Sequence, residues 1–261
     1  MIKFEKTEVL GWEAAIRGMR NPMNSWKKSD SYECMSYIEN GECEGCPEYY
    51  SCAGAENSGV VIGPNDIDLM KRLAAGGPVH AKYRRMITVY VDITAPLYWW
   101  KEFDTYKVGT VANSCSTMHK IADKEFTLED FSAEHLYFDE LEFFKEIIDH
   151  LNGCRTLYLA SKKEESARIQ KNDWWQMIQL LPSSYNQKRT VMLNYEVLAH
   201  IWNDRRNHKL DEWAEHTPVN ITNGEKIVRT IPNQHKGFCD WIKTLPYSEL
   251  ITQEEALMPA E

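Results

Sequence analysis

Apolar side chains follow two different periods along the chain, and these periods predict its elements. In residues 86–94 apolar residues recur at every second position from Ile87 to Ile93, which predicts a strand with one buried face. Helical spacing predicts helices over residues 7–20, 66–73, about 136–152, about 163–180 and about 190–206, and a last short helix over 239–245. Asn223-Gly224 between two apolar pairs predicts a hairpin. The pattern therefore predicts an α+β fold, with a sheet in the middle and long helices after it.

Composition fits one globular chain and limits its partners. The sequence has 261 residues, of which 43% are hydrophobic and 26% charged, and we expect a single domain over residues 1–261. This domain has a Cys-rich insertion at about 27–63 and an acidic tail at about 246–261. The 39 Asp and Glu residues outnumber the 30 Lys and Arg residues, which argues against general nucleic-acid binding. A small anionic ligand is still compatible, because it needs only a local positive pocket.

Two absences in the sequence suggest a cytoplasmic protein. No run approaches the roughly 18 apolar residues of a membrane span. The residues from Met1 to Lys6 also lack the apolar region of a secretory signal. In the cytoplasm, cysteines are expected as thiols or metal ligands rather than as disulfides.

Four cysteines fall within nineteen residues of the polar insertion, in the pattern Cys34-x8-Cys43-x2-Cys46-x5-Cys52. Four thiolates suit a closed tetrahedral site, so the pattern predicts structural zinc. The alternatives are reduced cysteines without a metal and, less favoured, an iron–sulfur cluster.

Three further segments carry candidate chemistry. Residues 106–120 combine small polar side chains with three basic ones, which suits a phosphate, although a turn rich in Ser and Thr has the same composition. The candidate residues are Asn113, Ser116, Thr117, Lys107, His119 and Lys120. The segment from His80 to Arg85 is basic and either contacts an anion or simply precedes the strand. On the helix expected over 190–206, Asn194 and Arg205 lie three turns apart on one face. Glu196 and His200 form an i, i+4 pair that suits a metal or a helix-surface hydrogen bond.

Taken in order, these segments resemble the flavin-dependent thymidylate synthases, the ThyX family. The resemblance covers about residues 65–215 and is most specific in the later helix. It rests on the segment at His80 leading into a strand, Asn113-Ser-Cys-Ser116, Leu181-Pro182, and Asn194, Leu198, His200 and Arg205 in order and spacing. The chain lacks the usual Arg-His-Arg triplet of the family, whose place is taken by Tyr106-Lys107-Val108.

The resemblance implies a central, mostly antiparallel sheet with long flanking helices. It implies reductive methylation of dUMP, or a related modification of a pyrimidine nucleotide, using FAD, NADPH and methylenetetrahydrofolate in a homotetramer. Ser116 would contact the nucleotide and help to activate it, and the other nucleotide-binding residues would be Asn113, Thr117, His119 and Arg205. The flavin side would hold His80, Lys107, Asn194 and His200.

Two alternative hypotheses compete with a flavin enzyme. One is a catalytically degenerate protein of the same fold that binds a nucleotide or serves in assembly. The other treats the segment that contains Cys34, Cys43, Cys46 and Cys52, called the cysteine segment below, as a zinc module that binds a macromolecular partner.

Overall fold

The computed structural model describes residues 2–34, 59–162, 167–216, 219–223, 226–231 and 236–254, with backbone alone over 219–231. The predicted α+β class is confirmed. The helices are α1 (Trp12–Arg20), α2 (Pro64–Ala75), α3 (Leu97–Phe103), α4 (Thr117–Lys120), α5 (Phe138–Ser161), α6 (Ala167–Leu180), α7 (Tyr195–Arg205), α8 (Phe238–Lys243) and α9 (Glu249–Thr252). The strands are β1 (Lys3–Leu10), β2 (Tyr32–Glu33), β3 (Val60–Val61), β4 (Thr88–Pro96), β5 (Val111–Ser114), β6 (Asn186–Asn194), β7 (Val219–Asn223) and β8 (Lys226–Ile231).

Four strands form the main sheet in the order β1-β4-β6-β5. The strand predicted over 86–94 is β4, where Val89, Val91 and Ile93 are buried while the residues between them are not. The predicted hairpin is also present, because β7 pairs with β8 in antiparallel register from Val219 opposite Ile231. A second antiparallel pair, β2 with β3, lies within the expected insertion.

The chain divides into two compact units. The first contains Met1–Lys3, Asp92–Thr105 and Ala112–Thr190, and the second contains Phe4–Val91, Tyr106–Val111 and Val191–Glu261. The single domain expected over residues 1–261 stays a prediction. The first unit has a core built on α5 and α6, formed by Ile121, Ala122, Phe126, Phe131, Ile148, Leu151, Cys154 and Met177. The second buries large aromatic rings, among them Trp12 and Tyr195, whose ring centroids lie 5.4 Å apart.

Several predicted element boundaries were wrong, each for a local reason. The helix expected over 7–20 begins only at Trp12, because Gly11 has a φ of 95° and separates it from β1. A Cβ at Gly11 would lie 2.2 Å from the Met86 carbonyl oxygen, so this turn requires glycine. The helix expected over about 136–152 continues as α5 to Ser161. The helix expected from Asp66 begins at Pro64, after Gly63, and Asp66 is a buried partner of Arg20.

The base of the cysteine segment is closed by backbone pairing. Tyr32 and Glu33 pair with Val61 and Val60, and the Cys34 amide donates to the Gly59 carbonyl at 2.7 Å. Of the predicted zinc ligands only Cys34 is described; Cys43, Cys46 and Cys52 lie outside the described residues. In the part of the chain that is described, no group of three His, Cys, Asp or Glu side chains could hold a metal ion.

Across the described ranges, none of the helices combines the length and the apolar character that spanning a membrane requires.

Candidate functional site

The predicted site residues fall into both compact units. The first unit holds Asn113, Ser116, Thr117 and His119, and the second holds His80, Lys107, Asn194, His200 and Arg205. We call residues 115–119 the hydroxyl turn.

The two hydroxyl groups of this turn both accept a hydrogen bond from the protein. Ser116 caps the short helix α4, and its Oγ accepts a hydrogen bond from the His119 amide at 3.1 Å. Thr117 Oγ1 accepts one from Gln187 Nε2 at 2.9 Å. Because a hydroxyl has one hydrogen, each side chain retains a donor for an external oxygen atom. The arrangement suits a phosphate or carbonyl oxygen, while Asn113 lies exposed on β5.

Gln187 fixes the backbone of the hydroxyl turn as well as one hydroxyl. It is buried on β6, and its Nε2 also donates to the Cys115 carbonyl oxygen at 3.1 Å. Its Oε1 accepts from Arg189 Nε at 3.0 Å, so both ends of the amide are engaged. Gln187 was not among the predicted site residues, because no strand was expected over Asn186–Asn194. Gln187 and Arg189 were therefore not expected on the same face.

Arg189 is itself held on three sides. Its guanidinium lies 4.1 Å from the centre of the Trp100 ring, and its Nη1 donates to Asp104 Oδ1 at 2.7 Å. Trp100 in turn donates from Nε1 to the Gln187 carbonyl oxygen at 2.9 Å. A continuous chain of contacts therefore runs from Asp104 to the hydroxyl turn, and it rigidifies the turn because every member has a partner.

In the second unit, Arg205 lies in a cluster of aromatic and polar groups that we call the arginine cluster: Tyr106, Asp204, Arg205, His208 and Trp213. Arg205 Nε donates to Tyr106 Oη at 3.0 Å, and Nη1 lies 2.8 Å from His208 Nε2. The guanidinium also lies 5.2 Å from the centre of the buried Trp213 ring. Burial raises the pKa of Tyr106 despite the opposing effect of Arg205, so this phenol stays neutral. The guanidinium plane is thus fixed at the end of α7, as forked recognition of an anion requires.

Asn194 does not share a helix face with Arg205, which corrects the sequence-based expectation. It is the last residue of β6 and the N-cap of α7, and its Oδ1 accepts from the amides of Glu196 and Val197, each at 3.1 Å. Its amide nitrogen faces Gly109, where an added Cβ would lie 3.0 Å from Nδ2. The side chain is therefore engaged in starting the helix.

Glu196 and His200 do form the predicted i, i+4 pair, with 3.5 Å between Glu196 Oε1 and His200 Nε2. The glutamate is buried, however, and lies 3.7 Å from Nη1 of the equally buried Arg84. Within the described part of the chain, neither Glu196 oxygen has a hydrogen-bond partner. The other two expected flavin-side residues, His80 and Lys107, are exposed.

Tyr106-Lys107-Val108 and Asn194 do not fit an FAD diphosphate, which calls for several strong donors. Tyr106 donates to Asp204 at 3.3 Å and accepts from Arg205, and Val108 is an apolar side chain that is 91% exposed. That leaves Lys107 as the one cation of the triplet, a single exposed ammonium. Asn194 offers only its amide N–H groups, since its oxygen caps α7.

Comparisons with known proteins give similar solved structures but no sequence match. No family model and no curated protein matches the chain. A solved structure of the flavin-dependent thymidylate synthase ThyX from Helicobacter pylori, complexed with FAD and dUMP, is 14% identical, covers 77% of this chain and 86% of its own, and has a TM-score of 0.47. A second structure of ThyX from the same organism with FAD and dUMP is 14% identical, covers 78% of this chain and 86% of its own, and has a TM-score of 0.45. At these values the likeness assigns no residue role.

Proposed function

We propose that the chain binds a pyrimidine nucleotide through Arg205, as a divergent relative of the flavin-dependent thymidylate synthases. The observation that carries this proposal is the fixed guanidinium of Arg205, which Tyr106 and Trp213 hold in place. A guanidinium is a permanently charged, planar donor group, which suits the oxygen atoms of a phosphate or of a base.

The hydroxyl turn of the first unit is a separate candidate for contacts to a nucleotide. Ser116 and Thr117 each keep one O–H donor, and oxygen acceptors are what a nucleotide offers at its phosphate and its base. Ser116 and Arg205 are also two of the residues that match the ThyX pattern in the sequence.

The finer form of the proposal is the reaction of the family: reductive methylation of dUMP with FAD, NADPH and methylenetetrahydrofolate in a homotetramer. It rests on the sequence resemblance alone. Because Tyr106-Lys107-Val108 does not supply the flavin donors, we assign no reaction step to FAD. The geometry instead favours binding of the nucleotide without turnover.

Calorimetric titration of the protein with dUMP and dTMP tests the proposal. We expect Arg205→Ala to weaken binding at least about tenfold, which is about 1.4 kcal/mol. Arg205→Lys should not restore it, because an ammonium lacks the planar fork. Arg72→Ala is the matched control, since Arg72 is an exposed residue that pairs with Asp68 along its own helix. Absence of binding of either nucleotide to the wild-type protein would refute the proposal.

An absorption spectrum recorded with added FAD separates the two forms. A protein that binds dUMP but stays colourless after removal of free FAD supports binding without turnover. A yellow protein whose flavin spectrum is bleached by NADPH supports the methylation reaction instead.

A further inference from the structure

His208 lies beside Arg205 in the arginine cluster, and each of its two ring nitrogens is close to a nitrogen atom of the protein. Nε2 lies 2.8 Å from Arg205 Nη1, and Nδ1 lies 3.1 Å from the amide nitrogen of Leu210. Both of these neighbours are hydrogen-bond donors, because neither a guanidinium nor an amide nitrogen offers an acceptor. A neutral imidazole has one acceptor nitrogen and one N–H group, so it accepts from only one of them. The other contact therefore sets a donor against a donor.

The backbone after α7 decides which of the two contacts is the hydrogen bond. The His208 amide donates to the Arg205 carbonyl oxygen, and the Trp213 amide donates to the Leu210 carbonyl oxygen, each at 3.0 Å. The turn is thus fixed, and its Leu210 amide is a backbone donor of the kind that folded proteins pair in nearly all cases. The guanidinium has five N–H groups and uses one of them on Tyr106. Nδ1 is therefore the acceptor of the Leu210 amide, and Nε2 carries the hydrogen.

An oxygen atom beside His208 Nε2 and Arg205 Nη1 would turn this opposition into two converging hydrogen bonds. A negatively charged oxygen suits the pair best, because hydrogen bonds between ionised groups are about twice as strong as neutral ones. The local charge is also positive: over residues 204–209, Arg205, Arg206 and Lys209 outnumber Asp204. In a chain with a net charge of −9, such a segment favours an anion.

We propose that His208 is a second binding residue of the site at Arg205, and that one phosphate oxygen of the nucleotide accepts from His208 Nε2 and Arg205 Nη1 together. The inference rests on the proposed function and deepens it, because it names the phosphate, rather than the base, as the group that Arg205 holds. The Leu210 amide has a part in this recognition as well, since it selects the tautomer of His208 that donates.

Calorimetric titrations with dUMP, deoxyuridine and inorganic phosphate test this assignment. His208→Asn keeps an acceptor for the Leu210 amide but lacks the donor at Nε2. This variant should weaken the binding of dUMP and of phosphate at least about tenfold, because a hydrogen bond to a charged group is lost, and should leave deoxyuridine unchanged. His208→Gln, whose longer side chain places an NH₂ group near the position of Nε2, should retain most of the affinity for dUMP. His150→Asn is the matched control, an exposed histidine on α5 that should leave all three affinities unchanged.

Nitrogen NMR of the His208 ring in the wild-type protein gives a measurement that does not depend on the folding of a variant. We expect the Nε2–H tautomer with and without ligand, and a shift of the Nε2 resonance on addition of dUMP but not of deoxyuridine. A tautomer with its hydrogen on Nδ1, or an affinity for dUMP that His208→Asn leaves unchanged, would overturn the assignment while the proposed function stands. No binding of dUMP to the wild-type protein would instead refute the proposed function itself.

Discussion

Asp66 is a buried carboxylate that holds the segment before the cysteines against α2, and its loss should destabilise the second unit strongly. Its Oδ1 accepts from Arg20 Nε at 2.6 Å. Its Oδ2 accepts from the hydroxyls of Ser29 and Ser31 at 2.6 and 2.7 Å, and from the amides of Asp30 and Ser31 at 3.2 Å. Five donors therefore depend on one side chain that is completely buried.

Asp66→Asn keeps the shape of the side chain but retains one oxygen acceptor for these five donors. If that oxygen faces the serines, the new NH₂ group faces Arg20, and two donors oppose each other in the interior. Removing one partner of a buried ion pair costs about 3–5 kcal/mol, a large share of the stability of an ordinary domain. Arg20→Met combined with Asp66→Asn should recover part of this loss, because no buried guanidinium then lacks its carboxylate.

The assay is urea unfolding under reducing conditions, with hydrogen exchange of the Asp30 and Ser31 amides as a local measurement. Asp68→Asn is the matched control on the same helix, because Asp68 and its partner Arg72 are both exposed. A surface pair of this kind contributes less than about 1 kcal/mol. If Asp66→Asn lowers the free energy of unfolding by no more than Asp68→Asn does, the role assigned to Asp66 is wrong.

The pH dependence gives a second test of Asp66. Burial alone would raise its pKa, but hydrogen bonds from Ser29, Ser31 and Arg20 outweigh burial and hold the pKa below its ordinary value of 3.8. The stabilising contribution is therefore fully present above pH 3.8 and is lost as the pH falls through the lower pKa of the folded state. The stability difference between the wild-type protein and Asp66→Asn should be constant near neutral pH and shrink in acid. A difference that grows below pH 3.8 would contradict this assignment.

Three further predictions follow from single contacts. Gln187→Leu frees the hydroxyl turn, so dUMP affinity measured by calorimetry should fall severalfold while the circular dichroism spectrum stays unchanged. Arg84→Met and Glu196→Gln each break a buried ion pair and should each lower the free energy of unfolding by about 3–5 kcal/mol. The double variant Arg84→Met/Glu196→Leu should be closer to the wild type in stability, and equal losses in all three variants would contradict this. Burial, with the nearby carboxylates of Asp240 and Glu215, raises the pKa of the Cys239 thiol to about 12, so mass spectrometry should find iodoacetamide on the exposed Cys115 well before Cys239.

The sequence predicted the elements whose apolar period is unbroken. The alternation over 86–94 predicted β4, and helical spacing predicted α2, α6 and the N-terminal part of α5. It failed at β6, because Val191 fits the helical stripe of Tyr195, Leu198 and Trp202 by coincidence. In the structure Val191 is buried as a strand residue, and the helix starts four residues later. Short windows that satisfy both periods cannot be assigned from spacing alone.

The candidate site was predictable where the chemistry is local. Ser116 and Thr117 are neighbours, and their hydroxyls do carry donors, as a phosphate-binding turn requires. The groups that orient them are distant in sequence: Gln187 lies 70 positions from Thr117, and Trp174 lies 56 positions from Met118. Contacts of this kind depend on how elements pack, which composition and spacing do not encode.

The spacing between Asn194 and Arg205 has a structural explanation, and this explanation accounts for the contacts of Asn194 but not for those of Arg205. Helix α7 is eleven residues long, Asn194 is its N-cap, and Arg205 is its last residue. An Asn at the start and a cation in the last turn are what any helix of this length favours, through capping and through its dipole. Capping engages the Asn194 oxygen fully, so this part of the resemblance is explained without a cofactor. The dipole does not explain why Arg205 is bonded to Tyr106 and laid over Trp213. Arg205 is therefore the residue of this pair on which the proposed nucleotide binding rests.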